Sequence, residues 1–176
     1  MDKISKMILV SLSVAVLGGV GVALALHQKA PEAICWKNLR GTEIPDDFME
    51  TIVLEENAHR EIVWKKNSIT ANVGGTETFL TGGTPIWAVY FSDLNGDGQR
   101  EMIAEISTGG TSDHGVIVVY DFKRSTTNTL DEPMMNDYSA EFRDGAVYAV
   151  KKPYGSESAG AEKGKLRLTD KGLEMK

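Results

Sequence analysis

The chain has 176 residues, is 41% apolar, carries a formal net charge of −6 and contains one cysteine. That length holds one domain with a core of its own. An acidic chain does not offer the basic face by which nucleic acid or an anionic membrane is bound. A single cysteine excludes an internal disulfide framework and a four-cysteine metal site.

Lys3 and Lys6 precede an uncharged run from Met7 to Leu26. Twenty residues at the helical rise span roughly 30 Å, the thickness of a bilayer's hydrocarbon core. Residues 1–26 are therefore expected to form a transmembrane signal anchor. Ala23-Leu24-Ala25 has the small-x-small form of a signal-peptidase site, so a cleaved signal peptide is the alternative. Lys3 and Lys6 keep the N-terminus in the cytoplasm under the positive-inside rule. Both readings place the rest of the chain outside, and without residues 1–25 its formal charge is −7. Cys35 follows Pro31-Glu32-Ala33-Ile34, which lacks the small residue expected directly before a lipid-modified cysteine.

Residues 27–44 are mixed and polar and read as a tether. Ile44-Pro45-Asp46-Asp47 looks like a helix start, with proline in the first turn and two acids at the positive helix end. Phe48, Met49, Ile52 and Val53 then recur at helical spacing, which predicts an amphipathic helix to about Ala58. Beyond it β-branched and aromatic residues dominate. Glu61–Trp64, Ile69–Val73, Thr76–Leu80, Ile86–Ser92, Glu101–Ser107 and Val116–Phe122 read as strands. Tyr138–Phe142 and Ala146–Lys151 flank Asp144-Gly145, a strong hairpin signal, and Lys165–Leu168 and Leu173–Met175 flank Asp170-Lys171-Gly172. Gly-Gly-Thr occurs at 74–76, 82–84 and 109–111, each time between strands, where it reads as turn chemistry. Consecutive strands on short turns predict an antiparallel meander. The expected fold is α+β and mostly β: residues 45–176 as one extracytoplasmic domain, with the helix packed on the sheet.

One segment carries chemistry. In Asp93-Leu94-Asn95-Gly96-Asp97-Gly98-Gln99-Arg100-Glu101, oxygen-bearing side chains stand at positions 1, 3, 5 and 9. A tight loop turns alternate residues inward and gathers hard oxygens about one centre. Calcium takes six to eight oxygens at roughly 2.3–2.6 Å and tolerates irregular geometry, whereas magnesium wants a stricter octahedron. Gly96 and Gly98 let the backbone curl. Asp93, Asn95, Asp97, the Gln99 carbonyl and Glu101 are the candidate ligands of Ca2+. The loop is not an EF-hand, because its twelfth position is Ala104 and both flanks are strand-like.

With strands on either side, the pattern Asp-x-Asn-x-Asp-Gly-x-x-Glu resembles the calcium loop of the FG-GAP or VCBS repeats of integrin-type β-propellers. The resemblance covers about residues 86–122 and implies that the same positions chelate calcium. A propeller needs at least four blades, and this chain holds one such loop. Ser92–Glu105, Val116–Phe122 and Lys152-Pro153-Tyr154 are also similar to an extracytoplasmic domain of clostridial membrane proteins, some of them β-lactam-sensor-type regulators.

No catalytic constellation emerges. His27, His59 and His114 have no metal-ligand spacing. Ser112-Asp113-His114 has triad residue types, but three consecutive residues cannot converge as nucleophile, base and orienter. His114 is expected in a loop from Thr108 to Gly115, near the calcium end of the hairpin. Trp36, Trp64 and Trp87 read as core or sheet-face residues, and Glu55-Glu56 as a solvated helix face. The sequence thus points to a non-enzymatic, membrane-anchored or secreted interaction or sensor-like module. Calcium would be mainly structural, with a protein or glycan partner. The alternative is an accessory carbohydrate- or envelope-processing protein whose active site is not evident.

Overall fold

Two stretches of sequence are apolar almost without interruption, Ile86-Trp87-Ala88-Val89-Tyr90-Phe91 and Val116-Ile117-Val118-Val119-Tyr120. Strand side chains alternate between faces, so a strand that is apolar at every position must be covered on both sides. The computed structural model, which describes residues 32–54, 61–73, 75–109, 114–156 and 160–176, shows that cover. A five-stranded antiparallel sheet runs in the order β1-β6-β7-β8-β9. Its strands are β1 (Ile34–Asn38), β6 (Ile86–Ser92), β7 (Glu101–Ser107), β8 (Gly115–Asp121) and β9 (Thr126–Leu130).

A four-stranded sheet of β2 (Met49–Val53), β3 (Glu61–Lys65), β4 (Ser68–Val73) and β5 (Thr76–Gly82) covers one face. Ile52, Ile62, Trp64, Ile69 and Leu80 from this sheet join Val89, Phe91, Met102, Ala104, Val118 and Tyr120 in one core. The other face is covered by β10 (Asn136–Arg143), β11 (Ala146–Pro153), β12 (Glu162–Thr169) and β13 (Gly172–Met175). There Tyr138, Ala140, Val147, Ala149, Leu166 and Leu168 pack on Ala88, Tyr90, Ile103, Ile117 and Val119. Three β layers thus share two cores, and every residue of β7 and β8 is buried.

The expected α+β class is corrected to all-β. The predicted helix is replaced over its central part by β2. There Ile52 is fully buried, while Met49 and Val53 are 65% and 63% exposed. A period of two wins because it turns Glu50, Ile52 and Leu54 toward the central sheet, and Thr51-Ile52-Val53 is a β-branched run that favours a strand. Glu50 accepts a hydrogen bond from Trp36 Nε1 at 2.8 Å and pairs with Lys37. The rest of the predicted helix, 55–58, lies outside the described residues, as do Glu55-Glu56, His27 and His59.

The expected tether contains β1, which pairs antiparallel with β6 through a bulge between Cys35 and Lys37. Asn38 Nδ2 then donates to Tyr90 Oη at 3.0 Å. The single expected meander is three meanders, with β1 added to one of them from a distance in sequence. Among the described residues there is no helix, and so none long and apolar enough to cross a membrane. The expected transmembrane or signal helix at 1–26 lies outside the described residues.

Candidate metal centre

β6 and β7 are joined by the loop from Asp93 to Arg100, and their register ends at Ser92↔Glu101. Gly96 and Gly98 have φ of +75° and +86°, and no heavy atom lies within 4 Å of where a Cβ would stand. Backbone conformation rather than space therefore calls for glycine at both. The curl aims backbone N–H groups at Asp93. Its Oδ1 accepts from Gly96 at 2.8 Å and from Asp97 at 3.0 Å, and its Oδ2 from Gly98 at 3.0 Å. Asp97 Oδ1 accepts from the Gln99 N–H at 3.0 Å.

Glu101 closes the loop from the sheet. It is 1% exposed, and its Oε2 accepts from the Leu94 N–H at 2.7 Å. Burial pushes its carboxyl up to about 7; the Leu94 N–H opposes that, and the charges of Asp121, Asp93 and Asp97 add to it. Asp97 lies below the usual carboxylate range. Burial works against this, but the Gln99 N–H and the Lys123 ammonium, 3.2 Å from Oδ2, outweigh it.

Of the five residues predicted as ligands, the structure gathers three carboxylates. One oxygen each from Asp93, Asp97 and Glu101 lies within 4.8 Å of the others. That is the spacing of oxygens placed at about 2.4 Å around a shared ion. Asn95 braces the loop: its Oδ1 accepts from the Asp97 N–H at 2.8 Å and its Nδ2 donates to Glu101 Oε1 at 2.9 Å. Gln99 joins through its backbone N–H.

Asp121, which the sequence reading did not single out, belongs to the same cluster. It is fully buried at the end of β8, one step beyond the Met102↔Tyr120 pair, and Asn95 Nδ2 lies 3.5 Å from its Oδ2. Its Oδ1 accepts from the Lys123 and Arg124 N–H groups at 2.8 and 2.9 Å. The available signal was an acid closing an apolar strand.

The donor set fits a hard divalent cation. Three carboxylates converge beside the buried Asp121, and burial pushes one of them, Glu101, up to about 7, while Lys123 and Arg124 are half-exposed. A groove of about 460 Å³ opens beside the loop, bounded by Asp93, Asn95, Val147 and Leu166.

His114 is not at this end. Ser107↔Gly115 places it at the opposite end of β7, whose seven residues span roughly 20 Å. The expectation of a neighbouring position fails because β7 runs the whole depth of the sheet between the two loops. Ser112 and Asp113 lie outside the described residues. No protein-family model, no curated protein and no solved structure matches this chain.

Proposed function

We propose that the chain is a non-enzymatic interaction module, outside the cytoplasm, whose β6–β7 loop is set by one calcium ion. The observation that carries the reading is the convergence of Asp93, Asp97 and Glu101 within 4.8 Å of one another, with Glu101 buried. A divalent ion would supply the positive charge that the half-exposed Lys123 and Arg124 do not bring to Glu101. Asp93, Asp97 and Glu101 hold it by carboxylate oxygen, with the Asn95 side chain and the Gln99 carbonyl as the further donors of the motif. The resemblance to FG-GAP and VCBS loops supports the same residues.

Calcium here serves structure first. The loop ties to the third layer through the Leu168 N–H, which donates to the Leu94 carbonyl at 3.2 Å. An ion ordering the loop therefore also fixes one wall of the adjacent groove, the concave surface on which a protein or glycan partner would dock. The apolar run after Lys3 and Lys6 supports export.

The test is thermal unfolding of the full chain in millimolar calcium and in chelator. An ion present at 100 times its Kd adds about 2.7 kcal/mol, or roughly 5–10 °C for a chain of this size. Asp97→Ala should abolish the difference. Identical curves for the wild type in calcium, magnesium and chelator would refute the assignment.

A further inference from the structure

At the end of the central sheet away from the calcium loop, His114 is 7% exposed and stands between two carboxylates. Its Nδ1 is 3.1 Å from Asp137 Oδ1, and its Nε2 is 2.8 Å from Asp131 Oδ1. An ionised carboxylate only accepts, so both contacts are hydrogen bonds only when both ring nitrogens carry protons. The neutral ring has one N–H and turns a lone pair toward an anionic oxygen. The three residues belong to different elements: His114 precedes β8, Asp131 follows β9, and Asp137 lies in β10. Asp137 Oδ1 also accepts from the Gly115 N–H at 3.2 Å. β8 and β10 touch closely there, since a Cβ on Gly115 would sit 2.5 Å from the Tyr138 carbonyl oxygen.

We propose that His114 is a proton-operated latch that holds the β9–β10 connection against the start of β8, closed as imidazolium and open as neutral imidazole. What it holds is an apolar turn. Met134 and Met135 are 81% and 68% exposed, and Met134 has φ of +59°, a strained conformation for an unbranched apolar residue. The Tyr154 N–H donates to the Met135 carbonyl at 3.0 Å, and the Tyr154 ring packs edge-on against His114 at 5.6 Å. The latch and the turn therefore share a neighbour.

Other charged and titratable groups surround the ring, among them the buried Glu105, whose carboxyl is pushed up by burial against the opposing pull of Arg40. Burial alone would lower the pKa of His114, but the hydrogen bonds and charges of Asp131 and Asp137 hold it above the ordinary 6.5. Farther out, Glu132 accepts from Tyr138 Oη at 2.6 Å and Lys151 Nζ at 2.9 Å, and pairs with Asn136. Those contacts hold Glu132 at about 2, while burial and Glu132 push Tyr138 to about 12. On the other side Arg40 approaches Gly115 and pairs with the buried Glu105. Asp113, next in the chain, lies outside the described residues.

The experiment is an NMR pH titration of the full chain. It follows the His114 ring carbon, the Gly115 amide and the Met134 and Met135 methyls. The latch predicts a His114 midpoint above 6.5, with the amide and both methyls changing at the same midpoint. Asp131→Asn, at a partly exposed position, should lower that midpoint. His114→Gln should leave the methyls unresponsive over the same range. The proposal is overturned by a His114 midpoint at or below 6.5, or by methyls and amide that ignore the ring. It is equally overturned by an Asp131→Asn chain that keeps the wild-type midpoint, or by a His114→Gln chain that keeps the methyl response.

Discussion

At one end of β7 stand Asp93, Asp97, Glu101 and Asp121; at the other, Asp131 and Asp137 face each other across His114. Both groups are carboxylates drawn together by turns of the same central sheet. They differ in where the positive charge comes from. His114 is built into the strand entry and is buried with Asp137, while Asp131 caps it from a partly exposed position. At the loop end the side chains of Lys123 and Arg124 are 52% and 50% exposed, and among the described residues no cation pairs with Glu101. One end is closed by an imidazole of the fold, while at the other Lys123 and Arg124 reach Asp97 and Asp121 from half-exposed positions and leave Glu101 to the Leu94 N–H and Asn95 Nδ2. On that difference rests the proposal that the loop end, unlike the His114 cluster, takes a calcium ion.

Several substitutions probe this contrast. The largest expected effect is His114→Ala, which removes the cation from the closed cluster and leaves two carboxylates facing each other. Losing two hydrogen bonds to charged groups should cost about 2–3 kcal/mol, by the same amount with and without calcium. A calcium-dependent loss would mean the two ends are not independent. Part of that stability is pH-linked. Because the folded pKa of His114 lies above 6.5, its contribution is complete below 6.5 and fades as pH rises through the folded value. Urea unfolding from pH 6 upward should show this decline in the wild type and a shallower one in His114→Gln, where the share of Glu101, whose carboxyl is held up to about 7, remains.

Glu101→Gln is expected to change sign with conditions. In chelator it removes a buried uncompensated charge and should be neutral or stabilising by up to about 1 kcal/mol. In calcium it removes a ligand and should destabilise. The same sign in both media would mean that Glu101 does not meet the ion. The smallest effect belongs to Lys123→Ala. Its pair with Asp97 is half-exposed, worth a few tenths of a kcal/mol in chelator. Because the ammonium competes with the ion for Asp97 Oδ2, the variant should bind calcium no more weakly than the wild type.

The loop end was legible because its signal is local. Asp93 to Glu101 spans nine residues, and the turn chemistry of Gly96 and Gly98 is written beside the acids. Asp121 reaches the same centre through strand register from twenty residues further along. The only local sign is an acid closing an apolar strand, which does not say which loop it meets. The latch end was illegible for the same reason: Asp131 and Asp137 meet His114 only because β9 and β10 return there, and three non-consecutive residues have no motif. Most strands were readable from β-branched and aromatic runs.

The errors fell where local pattern and tertiary burial disagree. Phe48, Met49, Ile52 and Val53 suit a helix, yet burying Ile52 and Leu54 on the central sheet needs a strand that leaves Met49 and Val53 exposed. β1 is mixed in character because it lies at the sheet edge. β9, Thr126–Leu130, carries no apolar pattern because it is polar and largely exposed at the sheet edge.

The central claim is that the loop end takes one calcium ion per chain. Calorimetric titration of calcium into the full chain, stripped with chelator and dialysed, tests it most directly. The account predicts one saturable site per chain in the wild type, weaker uptake of magnesium, and loss of the site in Asp93→Asn/Asp97→Asn. Absence of calcium uptake by the wild type, or undiminished uptake by the double variant, would contradict it.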